Sequence, residues 1–365
     1  MEAIRTTPTD REVIIRIERV DFTGVSLLAR YGVFVMSTSS DALSASPAVS
    51  VILPVLNEEA HLEEAIRAIL SQDYSGKFEV ILALGPSKDH TNKIANQLAA
   101  QDSRIVLVES PTGKTAAGLN LALAKSTGEV VVRVDGHAEI PTNYITLAVQ
   151  TLKETGAVNV GGVMAAEGVT HFEKAVATAM RSSFGVGASK FHTGGAAGDV
   201  DTVYLGVFVK SALASAGGFD ERFIRAQDWE LNHRLRKNGG RVYFDPRLHV
   251  TYRPRPTFRK LARQYFEYGR WRRVVSRRHS GTVNYRYLAP PFTLLGTTAS
   301  VVLGLTISPI LFVPAITYVL FVIGGSIRIS QTIRELITLI AVLPVMHFSW
   351  GWGFITSPRS IVPRD

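Results

Sequence analysis

An apolar stretch of the chain ends on side chains that could bind a ligand. Within residues 128–138, a run of valines stops at Asp135, and His137 follows two residues later. β-Branched residues without polar alternation are typical of a strand covered on both faces, and ligands collect beyond the carboxyl ends of such strands. A carboxylate there could hold a divalent cation against a diphosphate. An Asp-Gly pair also commonly opens a turn, so this residue alone leaves both interpretations open.

A second carboxylate of interest is Asp228, in the sequence Gln227-Asp228-Trp229. A positioned carboxylate can accept the proton of an attacking hydroxyl group, which is the role of a general base. The simpler interpretation is that Asp228 begins a helix, where acidic residues are favoured. Two acids from distant parts of the chain would suit a reaction that needs one on each side of the reacting bond.

Alternating strands and helices precede the apolar stretch and must position these side chains. A buried strand is predicted at residues 49–55, with Asn57 as the N-cap of a helix whose apolar residues repeat from Leu62 to Leu70. Further strands are predicted at residues 78–84 and 105–108, each followed by polar residues and a helix. This order predicts an α/β fold with a mostly parallel sheet and ligand groups along one edge.

The composition excludes some classes of chemistry and separates the chain into unlike parts. The 365 residues include no cysteine, which excludes disulfides, thiolate nucleophiles and cysteine zinc sites. Residues 253–286 carry eleven Lys and Arg against one Glu, a net charge of +10, whereas the whole chain carries +9. By subtraction, the remainder carries about one net negative charge.

Uncharged apolar segments follow this basic stretch at residues 288–305, 308–327 and 336–355. Each is long enough to cross about 30 Å of hydrocarbon, so about three transmembrane helices are predicted. Basic residues beside a span stay on the cytoplasmic side, which predicts a multi-pass protein of the cytoplasmic membrane whose catalytic domain faces the cytosol. The basic stretch also contains aromatic residues and suits an interfacial helix on anionic lipid, or one that grips a lipid diphosphate. Nucleic acid is not expected as a partner, because the basic residues adjoin the membrane.

Several short motifs, taken together and in order, resemble those of the family 2 glycosyltransferases, in particular the membrane-associated branch typified by succinoglycan-type exopolysaccharide glucosyltransferases. They are Pro54-Val55-Leu56-Asn57-Glu58-Glu59, Ser87-Lys88-Asp89-His90-Thr91, Gly113-Lys114-Thr115, Val134-Asp135-Gly136-His137-Ala138, Gly217-Gly218-Phe219-Asp220-Glu221 and Gln227-Asp228-Trp229-Glu230-Leu231.

The resemblance implies a GT-A nucleotide-sugar fold, a divalent cation (Mn²⁺ or Mg²⁺), a nucleotide-sugar donor with UDP-sugars as first choice, and inversion at the anomeric carbon. It implies Asp228 as the catalytic base and Asp135 with His137 as metal ligands; His249 is a weaker third candidate. The implied donor-binding residues are Pro54, Asn57, Glu58, Asp89, Lys114 and Asp135. Residues expected on the acceptor or lipid side are Asp201, Gln227, Trp229, Arg263, Arg270 and Trp271.

Three departures from the family pattern bear on these roles. The family's Asp-Asp-Gly-Ser is Leu84-Gly85-Pro86-Ser87 here, which removes one nucleoside contact. His137 replaces the second acid of the Asp-x-Asp metal motif. Gln227 replaces the commoner Glu before the catalytic Asp.

The predicted organisation has five parts, and Met36 is a hypothetical natural start. They are an N-terminal extension or linker (residues 1–46), a GT-A catalytic domain (47–252), a basic amphipathic interfacial segment (253–287), a transmembrane region (288–356) and a tail (357–365). The favoured function is transfer of one sugar to a lipid-linked acceptor in cell-envelope or exopolysaccharide synthesis. The alternatives are a polyprenyl-phosphate glycosyl synthase and an inactive, membrane-tethered glycan-binding protein.

Overall fold

The fold is given by a computed structural model that describes residues 43–362. Most of the predicted N-terminal extension, including Met36, lies outside the described residues.

A single eight-stranded sheet forms the centre of the fold. The strand order is β3-β2-β1-β4-β7-β5-β8-β6. Strands β1 to β4 pair in parallel, whereas β7 runs antiparallel to both β4 and β5. The strands are β1 (Val49–Val55), β2 (Phe78–Leu84), β3 (Ile105–Glu109), β4 (Val130–Arg133), β5 (Asn159–Ala166), β6 (Gly198–Asp199), β7 (Val207–Val209) and β8 (Val242–Tyr252).

Helices cover the sheet and continue beyond it. They are α1 (Leu62–Leu70), α2 (Thr91–Gln101), α3 (Thr115–Lys125), α4 (Tyr144–Thr155), α5 (His171–Met180), α6 (Ser183–Val186), α7 (Lys190–Thr193), α8 (Lys210–Ser215), α9 (Gln227–Lys237), α10 (Phe258–Arg278), α11 (Tyr285–Thr306), α12 (Val313–Ile329) and α13 (Ile333–Thr356). A short 3-10 turn, Pro309–Phe312, joins α11 to α12.

Strands β1 and β4 lie at the middle of the sheet and are almost wholly buried. Their β-branched runs fit positions covered by helices on both faces. The sequence therefore predicted correctly where the parallel part of the sheet lies. Strand β4 ends at Arg133, so Asp135 lies in the turn beyond the strand.

The predicted N-cap of α1 was wrong. The helix begins at Leu62 and its N-cap is His61, four residues after Asn57. Asn57 instead adopts a left-handed backbone with φ 55°. Asparagine tolerates this conformation in tight turns, so here it shapes the loop between β1 and α1.

Two apolar clusters matter for the position of the site. One packs the buried faces of β1, β4 and β7 against α1 and α4. The other joins the ends of β5 and β8 to α5, α10 and α13, and it includes Met164, Ala166, Leu339, Leu343 and Met346. The last apolar helix of the chain thus contributes to the core beside the sheet.

Three helices of the described residues are long and apolar enough to cross a membrane: Tyr285–Thr306, Pro309–Ile329 and Ile333–Thr356. These correspond to the three segments predicted from the sequence, with bounds a few residues wider.

Candidate active site

Arg133, the last residue of β4, contacts carboxylates from two distant parts of the chain. Its side chain is only 4% exposed. Nη2 donates to Oδ1 of Asp135 at 3.0 Å, and Nη1 donates to Oδ1 of Asp228. A buried guanidinium needs its charge paired, and here two carboxylates pair it while Nε has no hydrogen-bond partner among the described residues. One cation therefore holds together the two acids that the sequence analysis selected for different sides of the reaction.

The turn after β4 is covered by the side chain of Glu58. Gly136 lies directly beneath it, since a Cβ there would lie 3.0 Å from Cγ of Glu58. Oε1 of Glu58 is 2.8 Å from Nδ1 of His137. This hydrogen bond, reinforced by the nearby charge of Asp135, raises the pKa of His137 although partial burial opposes the shift.

These residues offer a small donor set for a divalent cation. Histidine ligands usually donate their second ring N–H to a carboxylate, which fixes the tautomer, and Glu58 stands in that position toward His137. Arg133 binds only Oδ1 of Asp135, so Oδ2 of this carboxylate is available to a cation. Among residues 43–362 no group of three or more His, Cys, Asp or Glu side chains could hold a metal. The pair fits a cation whose remaining ligands come from a bound diphosphate.

The loops after β1 and β2 are joined by side-chain hydrogen bonds. Asn57 accepts a hydrogen bond from the backbone N–H of Lys88 at 2.8 Å and donates its own backbone N–H to Oγ of Ser87 at 3.0 Å. Asp89 accepts from the hydroxyl of Thr91 at 2.5 Å, and this bond lowers the pKa of Asp89. The carboxyl ends of neighbouring parallel strands therefore form one edge, as the sequence predicted.

Helix α9 presents Asp228 in its first turn. The residue before the helix, Ala226, has a left-handed backbone with φ 59°. Such a conformation is costly for a residue with a Cβ and persists where the surroundings fix it. The non-glycine residues with positive φ in the described part of the chain are Asn57, Leu205 and Ala226. Each lies in a loop that leads to or from an element of this site.

Beyond Asp228, α9 meets the basic helix α10 and the start of α11. The guanidinium of Arg272 lies between two aromatic rings, 4.4 Å from the ring centroid of Trp229 and 4.2 Å from that of Tyr287. Its Nη1 is buried and has no hydrogen-bond partner among the described residues. Burial lowers the pKa of Arg272. A cation with an unsatisfied donor, flanked by Arg286 at the membrane end, favours an anionic ligand.

The other residues singled out by sequence lie around this centre in varied surroundings. Gln227, Trp229 and Trp271 are buried, and Trp229 and Trp271 share an apolar cluster. Asp201 lies 3.5 Å from Arg286 and 3.4 Å from the hydroxyl of Tyr287. Residues with partly buried side chains are Pro54, Asp89 and Arg270, whereas Lys114, Arg263 and His249 are exposed. The structure therefore brings Glu58, Asp135, His137 and Asp228 together.

Two side chains of the site were missed by the sequence analysis. Arg133 could have been found, because a charged residue inside a run of valines predicts a buried ion pair. Arg272 could not be separated from the other basic residues of α10 by sequence, since only packing shows that two aromatic rings enclose it.

Comparisons with known proteins agree with this architecture. Residues 50–201 match the model of glycosyl transferase family 2. Succinoglycan biosynthesis protein ExoA of Rhizobium meliloti (strain 1021) is 29% identical over 320 residues, which cover 87% of this chain and 96% of that protein. A dolichyl N-acetyl-alpha-D-glucosaminyl phosphate 3-beta-D-2,3-diacetamido-2,3-dideoxy-beta-D-glucuronosyltransferase of Methanococcus voltae is 24% identical over 309 residues, 82% of this chain and 92% of that protein.

Among solved structures, the chain is similar to mannosyltransferase PcManGT from Pyrobaculum calidifontis, determined in complex with GDP-Man and Mn²⁺. The TM-score is 0.58 at 21% identity, with coverage of 83% of this chain and 86% of that chain. The catalytic fold is thus of the GT-A class, as the sequence predicted.

Residues 50–201 thus match glycosyl transferase family 2, and the chain is similar over most of its length to proteins of exopolysaccharide and lipid-linked glycan synthesis. The predicted resemblance and fold class are confirmed. Its apolar C-terminal helices indicate a membrane-associated protein.

Proposed function

We propose that the protein transfers one sugar, with inversion, from a nucleotide-sugar donor to a lipid-linked acceptor at the cytosolic face of the membrane. A UDP-sugar is the first choice of donor, and the product would serve cell-envelope or exopolysaccharide synthesis. The similarity to a succinoglycan biosynthesis protein and to an enzyme named for a dolichyl-linked acceptor supports this choice. The proposed catalytic domain is residues 47–252, followed by the interfacial, transmembrane and tail segments at 253–287, 288–356 and 357–365.

The observation that carries the proposal is the shared contact of Arg133 with Asp135 and Asp228. In the proposed reaction, Asp228 accepts the proton of the acceptor hydroxyl as its oxygen bonds to the anomeric carbon, and the bond to the donor diphosphate breaks. GT-A glycosyltransferases commonly use a divalent cation; here Asp135 and His137 would hold it, and it would neutralise the leaving diphosphate. Arg133 fixes the spacing between the two acids.

The donor would lie along the edge formed by the loops after β1, β2 and β3. Glu58 orients His137 and covers the turn that carries Asp135, while Asn57 and Asp89 hold the loops together. Pro54, the second-last residue of β1, and Lys114, just before α3, would belong to the same edge.

The lipid side of the site would lie where α9, α10 and α11 meet. Arg272, with its unsatisfied Nη1 next to Trp229, is suited to a phosphate carried by the acceptor lipid. Asp201, Gln227, Arg263, Arg270 and Trp271 remain proposed members of this side.

The substitution Asp228→Asn tests the proposed base. A positioned base contributes typically 10²- to 10⁴-fold, so the single-turnover transfer rate should fall by that factor, about 3 to 5 kcal/mol of barrier. Donor affinity should be unchanged. Asp199→Asn is a matched control, because Asp199 is an exposed partner of Arg241 at the edge of the sheet.

A polyprenyl-phosphate synthase is the second candidate. It is favoured by the ion pair between Asp228 and Arg133, because this pair must loosen before Asp228 can accept a proton, whereas a phosphate acceptor is already ionised. A loss below about tenfold in Asp228→Asn with intact donor affinity would select this alternative. Absence of hydrolysis or transfer with a panel of nucleotide sugars, with and without Mn²⁺, would select a binding protein instead.

A further inference from the structure

Helix α13 is held at its start by α5 and just past its end by α10. At its start, Oε1 of Glu335 accepts a hydrogen bond from the hydroxyl of Thr178 in α5 at 2.6 Å. Just past its end, the hydroxyl of Ser357 donates to the carbonyl oxygen of Arg270 at 2.9 Å. The carbonyl oxygen of Pro358 then accepts from Arg277 at 3.1 Å.

The residues after α13 return to the neighbourhood of the proposed active site. Val362 is buried in a cluster with Phe223, Trp229 and Trp271. At 24 residues, α13 is about 36 Å long, which exceeds the roughly 30 Å of hydrocarbon in a bilayer. A crossing helix of this length would put its two ends on opposite faces of the membrane. Here the start of α13 and the residues just after its end reach the same catalytic domain, at Thr178 and at Phe223 and Trp229 respectively.

The partner of α13 along its length is the charged helix α10. A Cβ on Gly269 would lie 1.9 Å from the carbonyl oxygen of Trp350, and a Cβ on Gly353 would lie 2.0 Å from that of Phe266, so the two backbones touch. Further along both helices, the guanidinium of Arg273 lies 5.0 Å from the ring centroid of Phe354. The contacts of Gly269 with Trp350, Arg273 with Phe354 and Arg277 with Pro358 advance in the same direction along both helices, which are therefore parallel over this region.

This pairing decides whether α13 can cross the bilayer. Helix α10 carries eight basic side chains and one acidic side chain over its 21 residues. Each basic side chain at the centre of a membrane helix is costly, and α10 carries eight of them, so a crossing α10 is strongly disfavoured. If α10 stays out of the hydrocarbon, its parallel partner stays out as well.

We infer that α13 lies in the plane of the membrane surface beside α10, and that only the hairpin of α11 and α12 enters the hydrocarbon. The outward face of α13 is apolar and would rest on the lipid; its exposed large residues are Ile333, Ile337, Ile340, Trp352 and Ile355. The partner is a bilayer with anionic lipid, because α10 places its basic residues at the same level.

The hairpin meets α13 through α12, where the hydroxyl of Tyr318 lies 3.1 Å from Nδ1 of His347 and Val322 joins the cluster with Met346, but its tip is apolar and exposed. Residues 287–327 contain no Asp, Glu, Lys or Arg. Large apolar side chains around its tip are exposed, with Leu305 at 75% and Ile307 and Ile310 at 72%. By length and composition alone, three helices could span a membrane, but these properties do not show which of the three packs against the catalytic domain.

Single cysteines in this cysteine-free chain test the inference in the full-length protein. Gln331→Cys and Ser360→Cys flank α13 at exposed positions, and Ser103→Cys reports the side of the catalytic domain. Each variant is treated with a membrane-impermeant maleimide in sealed membrane vesicles of both orientations. All three should react in the same vesicle orientation. Labelling of Ser360→Cys only in the orientation opposite to Gln331→Cys would overturn the inference.

A depth measurement gives a second, independent readout. A nitroxide on Ala341→Cys, at an exposed position near the middle of α13, should report the same shallow depth as one on Trp352→Cys. A crossing helix requires Ala341 to lie much deeper, and that result would also overturn the inference. Labelling of all variants in detergent checks that the cysteines are accessible in the folded protein. These readouts do not involve sugar transfer, so they stand or fall separately from the proposed function.

Discussion

Arg133 is the residue on which the proposed chemistry depends most directly. Its guanidinium binds one oxygen of Asp135 in the next turn and one oxygen of Asp228, which lies 95 residues further along the chain. The sequence identified both acids but gave no sign that they share a partner. Contacts between distant segments depend on tertiary packing, which no local spacing encodes.

Arg133→Lys should reduce the transfer rate by about 10²-fold or more while donor binding persists. Lysine keeps the charge but lacks the planar fork that lets one group bind two carboxylates at fixed positions. Single-turnover transfer and donor affinity are the measurements. The control is Arg241→Lys, whose exposed ion pair with Asp199 should be worth no more than about 1 kcal/mol. Equal rates in Arg133→Lys and wild type would show that the shared contact is not needed.

The histidine in the metal motif should make donor binding depend on pH. The hydrogen bond to Glu58 and the charge of Asp135 raise the pKa of His137, so the ring stays protonated to a higher pH than a free histidine. A cation must displace that proton, and therefore Mn²⁺-dependent affinity for UDP should weaken as the pH falls through the raised pKa. Calorimetry over a pH series measures this dependence.

The variant His137→Asp is the informative comparison. Aspartate needs no deprotonation near neutral pH, so its pH dependence should be flatter, and Mg²⁺ should support activity better relative to Mn²⁺ because oxygen ligands suit the harder ion. The same slope in both proteins would exclude His137 as a metal ligand.

At the scale of elements, the sequence predicted the parallel strands well and the irregular ones poorly. Strands β1 to β4 are continuous apolar runs between clear turn signals, so periodicity identified them. Strands β6 and β7 have only two and three residues and hold their places through pairing with β8, β4 and β5. Such short segments carry no pattern of their own.

The contact between α10 and α13 can be tested by adding a single methyl group. Gly269→Ala places a Cβ against the carbonyl oxygen of Trp350, which is backbone and cannot rotate away. Overpacking of this kind typically costs about 1–3 kcal/mol, so the midpoint of thermal unfolding in detergent should fall. Gly324→Ala is the matched control in α12, where an added Cβ meets nothing within 4 Å. An unchanged midpoint for Gly269→Ala would mean that the helices are not in contact.

The α/β domain and the apolar C-terminal helices depend on each other for packing, although the boundaries predicted from the sequence treat them as separate parts. The predicted boundaries at 252, 287 and 356 follow changes in composition and remain predictions. Composition could not show that Leu339, Leu343 and Met346 of α13 pack beside Met164 and Ala166 at the end of β5. An apolar helix looks the same in sequence whether its partner is lipid or protein.

A chain cut after residue 287 should therefore be unstable, because it would expose the apolar faces of α5 and α10 that α13 covers. We expect it to aggregate or to unfold at a lower temperature than the full chain, as seen by gel filtration and thermal unfolding. A second variant, in which residues 292–316 are replaced by a flexible Gly/Ser linker, keeps α13 and the part of α12 that packs against it at Tyr318 and Val322, and should retain the fold. A cooperative transition of the shorter chain at the full-length temperature would show that α13 is dispensable.

The contact of one arginine with two acids also limits how relatives of this protein can be recombined. On the proposed mechanism, the donor half of the site lies before Gly136 and the acceptor half follows Ala226, so exchanging halves between relatives is an obvious way to combine a new donor with a new acceptor. Such chimaeras should be active only where the residues at positions 133, 135 and 228 come from one parent. Donor specificity and acceptor specificity are thus encoded in separate parts of the sequence, but they have to be exchanged together.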